Sequence, residues 1–220
     1  MMLKLFEKNP SEGKQERARE ILFSLKIVVN VIFALCIFQV FLILPRPGDP
    51  ELERVTLREL YEGQIDRFMV MTVGLVLTII YWLQLNKQLG NLQKSEALHA
   101  FFVLLQMFFL MLYLYFIRID IEYDGLVVAL QMQSVFLALA GFTGVGNWLL
   151  AQKLELISER LSYGERKKLY YGLWPEPTAS LIALPFASIS AEAWSLSFLA
   201  IIPLTMLVNY LGKRAEKESK

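Results

Sequence analysis

Residues 98–117 read LHAFFVLLQMFFLMLYLYFI, twenty positions without a single Asp, Glu, Lys or Arg. As a helix this stretch rises about 30 Å, the thickness of a bilayer's hydrocarbon core. Similar weakly charged blocks lie on either side, at about 21–44, 68–85, 125–152 and 194–211. A proline-interrupted block lies at 175–191, where only Thr178–Ala191 is cleanly apolar and Pro175, Pro177 and Pro185 fall in or beside it. A chain of 220 residues has too little interior to bury five or six such helices. Its hydrophobic content, 55%, exceeds the roughly 45–50% of soluble domains. The fold class that follows is all-α: a polytopic membrane protein with six transmembrane helices, both termini cytoplasmic, and the lipid bilayer as its solvent.

The charged segments set the orientation. Under an alternating six-span topology, sixteen of the 22 Lys and Arg residues fall on one side and five on the other, with Lys26 inside the first span. Cationic loops stay cytoplasmic, so residues 1–20 and 212–220 form a cytoplasmic segment and tail around a transmembrane domain at 21–211. Trp82, Trp148, Trp174 and Trp194 fall near the expected interfaces. If the last two spans instead form a re-entrant hairpin, the termini stay on the same side. The first block, at about 24 residues, is too long for a signal-peptide core and lacks a small-residue cleavage site, so it reads as a retained span. Pro45–Pro50 stops it. Residues 51–67, with Thr56 and Glu59 spaced as a capping box, suggest a short surface helix.

Composition narrows function. A net charge of +1 gives nucleic acid no footing, and Cys36, the lone cysteine, permits no disulfide within the chain and no Cys/His metal spacing. No cofactor is implied. The spans hold no carboxylate pair and no nucleophile with a His partner, which points away from an enzyme. Gly141–Gly146 is glycine-rich but lacks the Lys-Ser/Thr of a phosphate loop; with Ala140 and Gly144 it fits small-residue helix packing, or a kink.

Polar groups inside the membrane are costly and mark candidate sites. Span 1 carries Ser24, Lys26, Asn30 and Gln39. Phe23, Ile27, Asn30, Ala34 and Ile37 recur at helical spacing and would form the wall if span 1 lined a pore; Asn30 could equally be hydrogen-bonding glue between helices. Lys26, four residues before Asn30, can snorkel to the headgroups. Gln39, near the outer end, reads as structural. Gln106, Gln131 and Gln133 read as interhelical hydrogen bonders, and His99 as structural, with pH sensing as the alternative.

Arg19-Glu20-Ile21-Leu22-Phe23-Ser24-Leu25 resembles the Arg-x-x-x-Phe-Ser-Asp signature that opens the first helix of the endolysosomal potassium channel family and its bacterial relatives. Arg19, Phe23 and Ser24 match; Leu25 stands where the family has Asp. Tyr81-Trp82 near the end of span 2 agrees, without the His expected after it, and length and span count agree in outline. The resemblance implies a homotetramer in the bacterial cytoplasmic membrane, passing potassium or other monovalent ions along a central path lined by span 1, from Ser24 through Ile27, Asn30 and Ala34 to Ile37. The family's hydrophobic constriction would fall on Asn30. Four Lys26 ammonium groups facing that path would repel cations and alter selectivity. A non-conducting scaffold or accessory subunit is the alternative. A secondary transporter fits less well, since only span 5 looks broken and no paired repeats appear.

Overall fold

The structure, a computed structural model, describes the backbone of residues 10–41, 57–123 and 126–218 and the side chains of 13–39, 70–123 and 126–214. The described residues form helices: α1 (Pro10–Phe41), α2 (Leu57–Gly90), α3 (Ala97–Glu122), α4 (Val127–Lys153), α5 (Tyr163–Tyr171), α6 (Pro175–Phe186), α7 (Ala191–Ser197) and α8 (Ile201–Glu218), with a 3-10 turn at Phe198–Ala200 joining the last two. Five stretches are long and apolar enough to cross a membrane: Gly13–Gln39, Val70–Gly90, Ala97–Glu122, Val127–Lys153 and Ala191–Arg214. The chain therefore has the make-up of an integral membrane protein.

Two segments differ from expectation. The block at 175–191 folds as α6, whose 12 residues rise only about 18 Å, short of the hydrocarbon core. Residues 57–67 are not a separate surface helix but the first turns of the 34-residue α2. The Pro45–Pro50 stop and Thr56 of the expected capping box lie outside the described residues.

Local signals explain the remaining boundaries. Ser162 and Glu165 form a full capping box at the start of α5: Glu165 N–H donates to Ser162 Oγ at 3.3 Å, and Ser162 N–H donates to Glu165 Oε2 at 2.8 Å. Pro175 occupies the first turn of α6, where its missing N–H costs nothing. Pro185 sits in the last turn, with little helix left to disturb. Ser190 Oγ accepts from Ala193 N–H to cap α7. At the end of α4, Glu155 takes a left-handed φ of 53°. Its N–H donates to Gln152 O at 3.2 Å and that of Leu156 to Ala151 O at 3.0 Å. These are the paired bonds of a Schellman turn, with glutamate where glycine is usual.

The packing is antiparallel between chain neighbours. Gly144 of α4 lies against the Gln106 amide of α3, and the Phe136 ring stacks on Phe109 and Phe116 at 6.4 and 5.5 Å. Gly141 lies against Pro177 of α6; the Phe142 and Trp174 rings meet edge to face at 6.0 Å, and Gln131 Nε2 donates to Ser188 Oγ. Ala140, Gly141 and Gly144 are all buried in an unbroken α4, so the small residues serve packing and not a kink. Fully buried Trp194 donates to Ser134 Oγ at 2.8 Å and holds α7 to α4.

The polar connections are tied together at one end. Ser95 N–H donates to Ala18 O of α1 at 2.9 Å. Gln93 N–H donates to Leu156 O and Ser158 N–H to Asn91 O, an isolated antiparallel bridge at Leu92–Ile157. Trp148 Nε1 donates to Arg166 O, and Gly212 of α8 lies against Lys168 of α5. The base of α1, the ends of α2 and α4, the starts of α3 and α5 and the last turns of α8 thus share one end of the bundle.

Candidate functional site

Helix α1 has a buried and an outward side. Leu22, Leu25, Val29, Phe33 and Cys36 recur at spacings of three and four and are buried, the stripe of a helix packed on one face. Ser24, Ile27, Asn30 and Ala34 lie on the outward side with Phe23, Val31, Leu35 and Phe38, and Ile37 sits half-buried at its edge. Four of the five expected pore-lining residues thus share the side that this bundle leaves open. Leu25, where the family signature has Asp, points the other way and is only 5% exposed. Lys26 is half-buried at the boundary between the two sides. Arg19 is exposed at the base, and Gln39 is exposed near the far end.

Asn30 is engaged. Trp82 Nε1 of α2 donates to its Oδ1 at 3.0 Å. An indole N–H can only donate, so this bond fixes the amide orientation and leaves the Nδ2 hydrogens to face outward.

A second polar region lies inside the bundle. Glu176, in the first turn of α6, is 5% exposed. Gln84 Nε2 of α2 donates to Glu176 Oε2 at 2.6 Å and to Gly172 O at 3.2 Å, spanning the break between α5 and α6. Ser180 Oγ donates back to Glu176 O. On α2, Tyr81 Oη donates to Leu137 O at 2.8 Å. Gln88, one turn beyond Gln84, is buried with neither end of its amide partnered among the described residues, and the same is true of Asn147 on α4. Along α3, His99, Gln106, Tyr113 and Asp120 repeat every seventh residue and are all buried. Gln133 Nε2 donates to Phe116 O and so bonds α4 to α3 as the sequence suggests, whereas Gln131 reaches Ser188 in the turn after α6 and Gln106 Oε1 is buried without a partner among the described residues. His99 Nδ1 is hydrogen-bonded to Ser95 Oγ at 2.9 Å.

None of Glu176, Gln84, Gln88 and Asn147 stands out in the sequence reading. Glu176 lies between two prolines at the polar edge of the 175–191 block, outside its cleanly apolar stretch. Gln84 looks interfacial from the count along span 2. The available signal was a carboxylate between helix-starting prolines with seven apolar residues close behind.

A polar cleft of about 490 Å³ opens at the tied end of the bundle. Arg19 of α1, Lys94, Gln152, Glu155, Glu159 and Arg166 are among its lining residues. That volume falls in the range of small-molecule sites, with cations and carboxylates interspersed. No group of three or more His, Cys, Asp or Glu able to hold a metal ion occurs among the described residues.

No family model matches the chain, and no curated protein or solved structure matches it significantly. The class stands on its own residues: an all-helical bundle with five helices long and apolar enough to cross a membrane.

Proposed function

We propose that the chain is an oligomeric channel for monovalent cations of the potassium type, with the outward side of α1 lining a path shared between copies. The observation that carries this reading is the composition of that side. Ser24 and Asn30 lie on a surface that apolar residues alone would serve if it only met lipid. α5 and α6 cross together as one broken helix, giving six crossings with both termini cytoplasmic; most of the Lys and Arg residues then lie on that side. By resemblance the assembly is a tetramer in a bacterial cytoplasmic membrane. The path has a serine hydroxyl and an apolar wall but no ring of carbonyls, so it selects by width and hydration. Lys26, at the edge of the outward side, sets the charge at the cytoplasmic mouth and alters selectivity.

A second reading, a non-conducting scaffold or accessory subunit, is favoured by the Trp82–Asn30 bond and by the inward-facing Leu25. On this reading Asn30 ties α1 to α2 and nothing passes along α1.

The two separate in liposomes holding purified protein under potassium, sodium or chloride gradients. A channel gives potassium flux that Asn30→Leu alters while the oligomer stays intact. A scaffold gives no flux, and Asn30→Leu loosens assembly or lowers stability instead. Chloride flux would place Lys26 in command of the path.

A further inference from the structure

We propose that Glu176 is a proton-binding site inside each subunit, reached from the polar cleft along the buried amides of Gln88 and Asn147. It lies away from the α1 side and does not depend on conduction there.

An ionisable side chain inside a membrane bundle is retained only where something there uses or satisfies it. Glu176 is partly satisfied, since one amide hydrogen from Gln84 reaches Oε2 while Oε1 is not engaged by Gln84. The geometry favours a proton over a metal cation. The nitrogen of Gln84 already sits where Glu176 Oε2 and Gly172 O converge, at 2.6 and 3.2 Å. A dehydrated cation would need that position, and several more oxygens besides. A proton needs only one carboxylate oxygen, and Oε1 is not the one that Gln84 engages. A hydronium ion gives its proton to Oε1, the carboxylate becomes a neutral acid, and water is released; no other bond changes. The short bond from Gln84 then loses its charged acceptor and weakens, which loosens α2 from the α5–α6 break.

The route rests on two orphaned amides. Gln88 lies one helical turn from Gln84 toward the tied end, and α2 runs on from it to the loop residues Gln93 and Lys94 of the cleft wall. The antiparallel register of α4 and α6, with Gly141 against Pro177 and Phe142 against Trp174, brings Asn147 level with Gly172. Five residues further, Gln152 lines the cleft. Both amides are at least nine-tenths buried and unpartnered at both ends among the described residues. Buried polar groups of this kind call for a polar partner, and the two amides mark a polar line between the cleft and Glu176 along which a proton can be passed.

Few other charges bear on the site. α2 presents Tyr81, whose hydroxyl is spent on Leu137 O. The stretch of α4 that faces it, 134–151, carries no ionisable side chain. α5 brings Tyr170, packed on Trp174, and Tyr171 and Lys168, the last lying at the tied end against Gly212. α7 carries only exposed Glu192, and the ionisable residues of α8 lie in its last turns.

A hydrophobic carbodiimide tests the proposal, because it adds to protonated carboxyl groups in apolar surroundings. Full-length protein in liposomes is labelled across a pH series, and the modified residue is located by peptide mass spectrometry. Glu176 is expected to be modified, more as pH falls, while exposed Glu165 in the same region stays unmodified. Glu176→Gln removes the label, and Glu176→Asp restores it and serves if the first variant does not fold. Gln88→Leu and Asn147→Leu delay the rise in carbodiimide labelling of Glu176 that follows an abrupt drop of pH on the cleft side, because they block the proton's route. Asn30→Leu leaves labelling unchanged, so the fate of the channel reading does not decide this one. An unlabelled Glu176 at every pH, or labelling indifferent to pH, overturns the site; labelling unaffected by both leucine variants overturns the route.

Discussion

Replacing Gly141 by alanine places a methyl carbon 2.6 Å from Tyr81 Oη and 2.7 and 2.8 Å from Cβ and Cδ of Pro177. Such atoms settle at about 3.5–4.0 Å, so a neighbour must retreat by about 1 Å. Pro177 is a rigid ring in the first turn of α6. Tyr81 can move only by giving up its bond to Leu137 O, worth about 0.5–1.5 kcal/mol. Overpacking adds about 1–3 kcal/mol, and removing a helical glycine returns about 0.5–1 kcal/mol. The net expectation for Gly141→Ala is a loss of about 1–3 kcal/mol. The same helix supplies its own controls. Nothing lies within 4 Å of a Cβ at Gly146, so Gly146→Ala should gain about 0.5–1 kcal/mol. At Gly144 the obstacle is the flexible Gln106 amide, 2.8 Å away, so Gly144→Ala should fall between. Reversible unfolding in mixed micelles, followed by tryptophan fluorescence, ranks the three. A Gly141→Ala protein as stable as Gly146→Ala would refute the three-helix junction of α2, α4 and α6.

Other positions carry sharp expectations. Glu155→Gly removes a side chain from a left-handed Schellman position and should stabilise by about 1 kcal/mol, read as a raised melting temperature in detergent; no change would mean that α4 does not end in that turn. Trp194→Ala empties a fully buried site and leaves Ser134 without its donor, and should cost about 3–5 kcal/mol, whereas Trp82→Ala, on a partly exposed side chain, should cost far less in the same melt.

The long apolar blocks were legible because a bilayer imposes one length and one polarity on each. Span 3, expected at 98–117, and span 4, at 125–152, fall almost wholly within α3 and α4. The helical spacing along span 1 likewise put Phe23, Ile27, Asn30 and Ala34 together on one side, with Ile37 at its edge. That side was not legible as inward or outward, because periodicity fixes which residues share a side but not what it meets. The extension of α2 through 57–67 was hidden by Arg58, Glu59, Glu62, Asp66 and Arg67, which read as surface charge, although Arg and Glu are also good helix formers. The interior site was missed for a different reason: Gln84 and Glu176 stand 92 residues apart, and only the fold brings them together. The bridge between Asn91–Gln93 and Leu156–Ser158 is equally remote in sequence, and backbone pairing of that kind leaves no mark on side-chain pattern.

The bond between Ser95 N–H and Ala18 O pins α1 near its base, and the clasped loops behind it make that base a fixed pivot. From Ala18 to Phe38 the helix is a lever of about 30 Å. A tilt of about 5° then sweeps its far end through about 2.6 Å and scarcely shifts the base. Any widening between neighbouring copies of α1 would grow with distance from Arg19, so a gate along this helix would open first around Ala34–Phe38 and last beside Lys26.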